Sequence, residues 1–120
     1  MMTETNLIVG YKFLDVQNGV LVGGLGYPLT SRYDEAKCLA GGKHKSPDTH
    51  CSCGHHVRWE PDHYYAAMAQ VVCYGKVWLH SEGCRAEKIR IDAIYIKPHL
   101  AHLKATLEEK YGVPVVVSNA

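Results

Sequence analysis

Apolar and polar positions change period several times along the chain, and each change marks an element. Leu7–Val16 is dense in Val, Ile, Tyr and Phe and predicts a strand, which Gln17-Asn18-Gly19 interrupts before Val20-Leu21-Val22. Asn-Gly between two apolar runs suits a tight hairpin turn, because both central positions of that turn need positive φ. Gly23, Gly24 and Gly26 follow in the order GGLG. That order lacks the lysine and the spacing of a phosphate-cradling loop and leads into Pro28, so it predicts a bend closing the hairpin.

Between Ser31 and His56 no period persists, and Gly, Ser, Pro and Asp are frequent. An irregular loop of that length needs something to organise it. Beyond it, Glu60-Pro61-Asp62 opens a predicted helix with Tyr65, Met68, Ala69 and Val72 on one face. Val71–Leu79 and Cys84–Ile96 predict the arms of a second hairpin around His80-Ser81-Glu82-Gly83, with Ile89 and Ile91 alternating against Lys88, Arg90 and Asp92. Pro98 opens a second predicted helix along Leu100, Leu103, Leu107 and Tyr111, Gly112 ends it, and Val113–Ser118 predicts a closing strand. The expected fold class is therefore α+β in one domain spanning residues 1–120. It would hold a small, largely antiparallel sheet from two hairpins plus a C-terminal strand, two helices, and a metal-bound irregular loop at about residues 38–56.

Composition narrows the function classes. In 120 residues, 47% hydrophobic content is enough for a core, and a net charge of +1 excludes an acidic disordered segment and argues against a surface built to track phosphates. Met1 to Asn6 carries no basic flank and Leu7–Val9 is too short for a leader or a spanning helix, so a cytoplasmic protein with no membrane role is expected. The odd count of 5 cysteines agrees with a compartment that keeps thiols reduced.

Three of those cysteines and four of the 8 histidines fall inside the unperiodic loop, in the run Cys38-LAGGK-His44-KSPDTH-Cys51-S-Cys53-GHH. Zinc takes four nitrogen or sulfur ligands in a tetrahedron, and such a shell would order a loop that has few apolar residues. Cys38, His44, Cys51 and Cys53 are the expected ligands, with His50, His55 and His56 each able to replace His44. Gly54 fits a knuckle that turns at positive φ around a metal. No standard finger or ribbon spacing is met, and iron–sulfur clusters want four thiolates. A shell closed by four protein ligands is structural and leaves no position for catalysis.

Further motifs carry a resemblance. Gly10-Tyr11, Cys38, His44-x-x-Pro47, Cys51-x-Cys53-Gly54, Gly75-x-Val77, Gly83-x-Arg85-Ala86-Glu87 and Tyr111-Gly112-Val113-Pro114-Val115 lie scattered over most of the chain. In this pattern it resembles an uncharacterised group of small actinobacterial and actinobacteriophage proteins, and departs from it at Cys84 and at His55-His56. The resemblance implies a metal site centred on the CxCG motif and a phage origin, and no known reaction.

Enzyme signals are incomplete. His80-Ser81-Glu82 matches half of a zinc deaminase motif, but no PCxxC follows. Cys73 lies in an apolar run and reads as a core residue, whereas Cys84, beside the hairpin turn, reads as an exposed thiol. Arg85 and Glu87 share one strand face, and with Trp78 and His80 they form the candidate partner-binding set. The expected function is a non-catalytic, zinc-stabilised interaction or regulatory module that binds a host or partner protein. A nucleic-acid-binding zinc protein, using Lys43-His44-Lys45 and Arg85/Lys88/Arg90, and a metal-dependent enzyme of unknown class are the alternatives.

Overall fold

The structure is a computed structural model that describes residues 7–38, 46, 47, 51, 53–62 and 64–118, with Leu25 described by its backbone alone. Its strands are β1 (Ile8–Gln17), β2 (Val20–Val22), β3 (Pro28–Leu29), β4 (Tyr33–Glu35), β5 (His55–Arg58), β6 (Ala67–His80), β7 (Gly83–Ile96) and β8 (Val115–Val117). One α-helix, α1 (Lys104–Tyr111), follows a 3-10 segment, Pro98–Leu103. The eight strands belong to one mixed sheet, and among the described residues the only parallel pairing is β7 with β8. The α+β expectation is thus overturned: the fold is mostly β, with a single short α-helix where two helices were expected.

The missing helix has a physical explanation. Ala67–Cys73 is buried at almost every position because β6 is covered on both faces, so its apolar residues form a nearly continuous run instead of alternating. Met68, Ala69 and Val72 then match a helical spacing by coincidence, and seven ladder partners on β1, Ile8 to Leu14, override the helix preference of the alanines. The C-terminal helix is shorter than expected because Pro98–Leu103 winds as 3-10, leaving only Leu107 and Tyr111 buried on α1. Both hairpins form: Asn18 (φ 53) and Gly19 (φ 75) make the first turn, and His80 pairs with Gly83 at the tip of the second.

The sheet closes on itself. β6 lies between β1 and β7, and β5 pairs with β7 and also meets β1 at Tyr11↔Arg58, so β1, β6, β7 and β5 form a ring. A ring this narrow brings backbones into contact. A Cβ on Gly83 would lie 1.8 Å from the Val57 carbonyl oxygen, and one on Gly10 would lie 2.5 Å from Val57 Cγ1, so glycine on each flank is what lets β5 bridge the gap. Beyond β5 the same edge of β7 carries β4 and then β8, while β2 and β3 extend from the far end of β1.

Leu14, Val57, Val71, Ile89, Ile91 and Ile94 fill the interior. The helix docks there through Tyr111, whose hydroxyl donates to the Leu29 carbonyl at 2.6 Å and accepts from the Leu21 N–H at 2.9 Å. One side chain thereby ties β2, β3 and α1 together. Among the described residues no helix is long and apolar enough to cross a membrane.

Candidate metal centre and cavity

The loop before β5 brings three thiols together. The Sγ atoms of Cys38, Cys51 and Cys53 all lie within 4.8 Å of one another, and Cys38 and Cys51 are separated by 3.6 Å. A disulfide would require about 2.05 Å. Three thiolates on a tetrahedral ion with metal–sulfur bonds of about 2.3 Å would stand about 3.8 Å apart, so the cluster has the dimensions to hold a metal ion.

Arg85 fixes the knuckle to the barrel. From β7 its guanidinium donates to the carbonyl of Cys51 and, at 3.4 Å, to that of Cys53, and it also stacks 5.1 Å over the Trp78 ring. Gly54 completes the turn at φ 108, where a Cβ would meet Pro47 Cβ at 3.1 Å. The positive φ expected there is present, and the two-residue strand period then sends His55 inward and His56 outward.

The candidate histidines separate accordingly. His44 and His50 lie outside the described residues. Buried His55 has its Nε2 2.8 Å from Asp34 Oδ2 and its ring edge-on to Tyr27; burial, assisted by the charge of Lys12, holds its pKa below the usual value. His56 is exposed on the outer face of β5. Among the described residues, the cluster able to hold a metal consists of the three cysteines.

The candidate partner-binding residues have specific surroundings. Trp78 is half-buried between the cations of Arg85 and Lys76. Exposed His80 accepts a hydrogen bond at Nδ1 from the Glu82 N–H, while its carbonyl accepts one from the Trp59 indole. Glu87 is buried, and its Oε1 accepts a hydrogen bond from the Lys76 N–H at 2.9 Å, over the bulge where Gly75 takes φ 74. Cys84 is fully buried, with its Sγ 3.5 Å from Cys73 Sγ, which corrects the expectation of an exposed thiol. It packs in the hydrophobic core cluster with Val57, Ala86 and Ile89.

An open cavity of about 630 Å³ adjoins the knuckle. Its lining includes the three metal-site cysteines, His55, Cys84 and Lys12, a residue that the sequence reading passed over. Lys12 is only 9% exposed, and desolvation lowers its pKa to about 8 against the opposing attraction of Asp34. Its inward position could have been read from the strand period, since it is in phase with Gly10 and Leu14. Tyr27, whose hydroxyl donates to Asp34 at 3.0 Å, has its pKa pushed up to about 12 by burial and by that carboxylate.

No known protein family, curated protein or solved structure matches the chain.

Proposed function

We propose that the chain is a zinc-stabilised binding module that captures a partner protein and performs no turnover of its own. The thiol triangle of Cys38, Cys51 and Cys53 carries this reading. Thiolate ligands favour zinc over hard cations such as magnesium and calcium, and three are too few for a usual iron–sulfur cluster. A fourth ligand from His44, the position favoured by the spacing, closes the shell and makes the ion structural. Reduced thiols, with both close sulfur pairs beyond bonding distance, suit a cytoplasmic setting.

Support for a protein partner comes from the outer half of the long hairpin. β1 pairs with β6 only over Ala67–Cys73, so among the described residues Tyr74–His80 has β7 as its sole ladder partner. That edge carries Trp78 and Leu79, the latter 65% exposed, and an added strand would find backbone groups and apolar anchors there. Two of the cations named for the nucleic-acid alternative are otherwise engaged: Arg90 forms a two-pronged pair with Asp92, and Arg85 holds the knuckle. Two of the cavity's titratable groups, Tyr27 and His55, both converge on Asp34. The resemblance to actinobacteriophage proteins makes a host protein the partner to seek.

The test is elemental analysis of the purified full chain, combined with capture from a host-cell lysate on the same sample. About one zinc per chain is expected, together with a retained protein that Leu79→Asp releases. A folded, metal-free chain whose Cys51 and Cys53 are freely alkylated would overturn the reading. Full zinc occupancy in His44→Ala, with loss in His50→Ala or His56→Ala, would move the fourth ligand.

A further inference from the structure

Neither the metal knuckle nor the strand edge accounts for the cavity beneath them. We propose that this cavity binds a small organic anion, with its carboxylate or phosphate group on the Lys12 ammonium and its apolar body against Phe13, Tyr27 and Tyr65. The inference goes beyond the binding module described above and does not depend on which macromolecule that module captures.

Burying Lys12 is costly. A lysine is rarely buried without a partner, because an ammonium group loses strong hydration on leaving water. Here the strand period aims it inward between Gly10 and Leu14, and the side chain lines the cavity. The carboxylate that attracts it, Asp34, already receives the Tyr27 hydroxyl at 3.0 Å and stands 2.8 Å from His55. Asp34 therefore cannot give Lys12 an undivided countercharge. Among the described lining residues there is no aspartate or glutamate, whereas Lys37 and Arg58 add two further cations. Arg58 is paired at the rim with exposed Glu82, and three thiolates on a dication would carry roughly one net negative charge, so buried Lys12 and exposed Lys37 together leave the described lining net positive. A pocket with this charge selects an anion.

The walls define the remainder of the ligand. Phe13 stacks on Tyr65 at 4.8 Å with an interplanar angle of 7°, and Tyr27 packs edge-on against His55. Phe13, out of phase with Lys12 on β1, and Tyr65 also line the cavity, and their stacked rings offer it an apolar wall suited to a flat or aliphatic body. A volume of about 630 Å³ falls in the range usual for small-molecule sites. Inorganic phosphate alone would leave those walls unused, which is why an organic anion is the better fit.

Isothermal titration of the metal-loaded full chain at neutral pH tests the proposal, with benzoate and phenyl phosphate as probes and benzamide and benzyl alcohol as their neutral counterparts. At least one anion should bind about tenfold more tightly than its neutral counterpart, and the preferred anion distinguishes a carboxylate site from a phosphate site. Lys12→Met should abolish that preference while metal content and partner capture stay unchanged, which separates this result from failure of the zinc reading. Equal binding of anions and neutral counterparts, or no binding of either anion at millimolar concentration, would overturn the proposal. The comparison on the unsubstituted chain decides it even if the variant fails to fold.

Discussion

Replacing Lys12 with methionine should make the protein more stable, a direction opposite to that of most core substitutions. Methionine keeps a long, flexible stem against the same neighbours and removes only the ammonium. The folded pKa is about 8 and the ordinary value 10.5, so the charged form is disfavoured in the folded state by 2.5 pH units, on the order of 3 kcal/mol. Below pH 8 the lysine is protonated in both states and the whole penalty applies. Between pH 8 and 10.5 the unfolded chain binds more protons than the folded one, so wild-type stability rises relative to the variant, and above 10.5 the difference vanishes. Urea unfolding of both proteins, followed by circular dichroism from pH 7 to 10, measures this directly. The expected gap is about 3 kcal/mol at pH 7, narrowing steadily towards pH 10. A variant less stable than wild type at pH 7, or a gap that does not change with pH, would refute the reasoning.

Three further outcomes follow from single contacts. Tyr111→Phe removes a donor to Leu29 and an acceptor for Leu21, both buried, and should cost about 1–3 kcal/mol in the same unfolding assay. Gly83→Ala places a methyl group against the Val57 carbonyl at 1.8 Å, and should displace β5 and abolish cooperative unfolding. Arg85→Met removes the clamp on the Cys51 and Cys53 carbonyls, and competition with a chelator should show metal affinity lower by about 10- to 100-fold.

The legible parts of this fold were those written locally. Asn18-Gly19 specifies its turn through φ alone, and the Ile89/Ile91 alternation specifies a strand with one face inward. The cysteine spacing likewise indicated the thiol cluster, because a loop with few apolar residues needs another source of order. The first predicted helix failed where burial on both faces erased the period of β6. Ring closure was illegible for a different reason: it depends on Gly10 and Gly83, far apart in sequence, flanking one short strand. Lys12 and Asp34 come from β1 and β4, and their relation to the cavity exists only once β7 has gathered the other strands along its edge.

The ring also implies an order of assembly. β6 and β7 are joined by two residues, Ser81 and Glu82, so their fourteen-residue arms can zip together while the rest of the chain is still searching. β1 must close a loop of roughly fifty residues to reach β6, which is slower because more chain entropy is lost before any contact forms. β5 can bridge only after both of its neighbours are in place, and the metal knuckle leads directly into it. A metal ion on the cysteine cluster should therefore act late, as the latch on a nearly finished barrel. Pulse-labelled hydrogen exchange during refolding should find the Val71 and Ile91 amides protected before that of Val57, with added metal accelerating only the last.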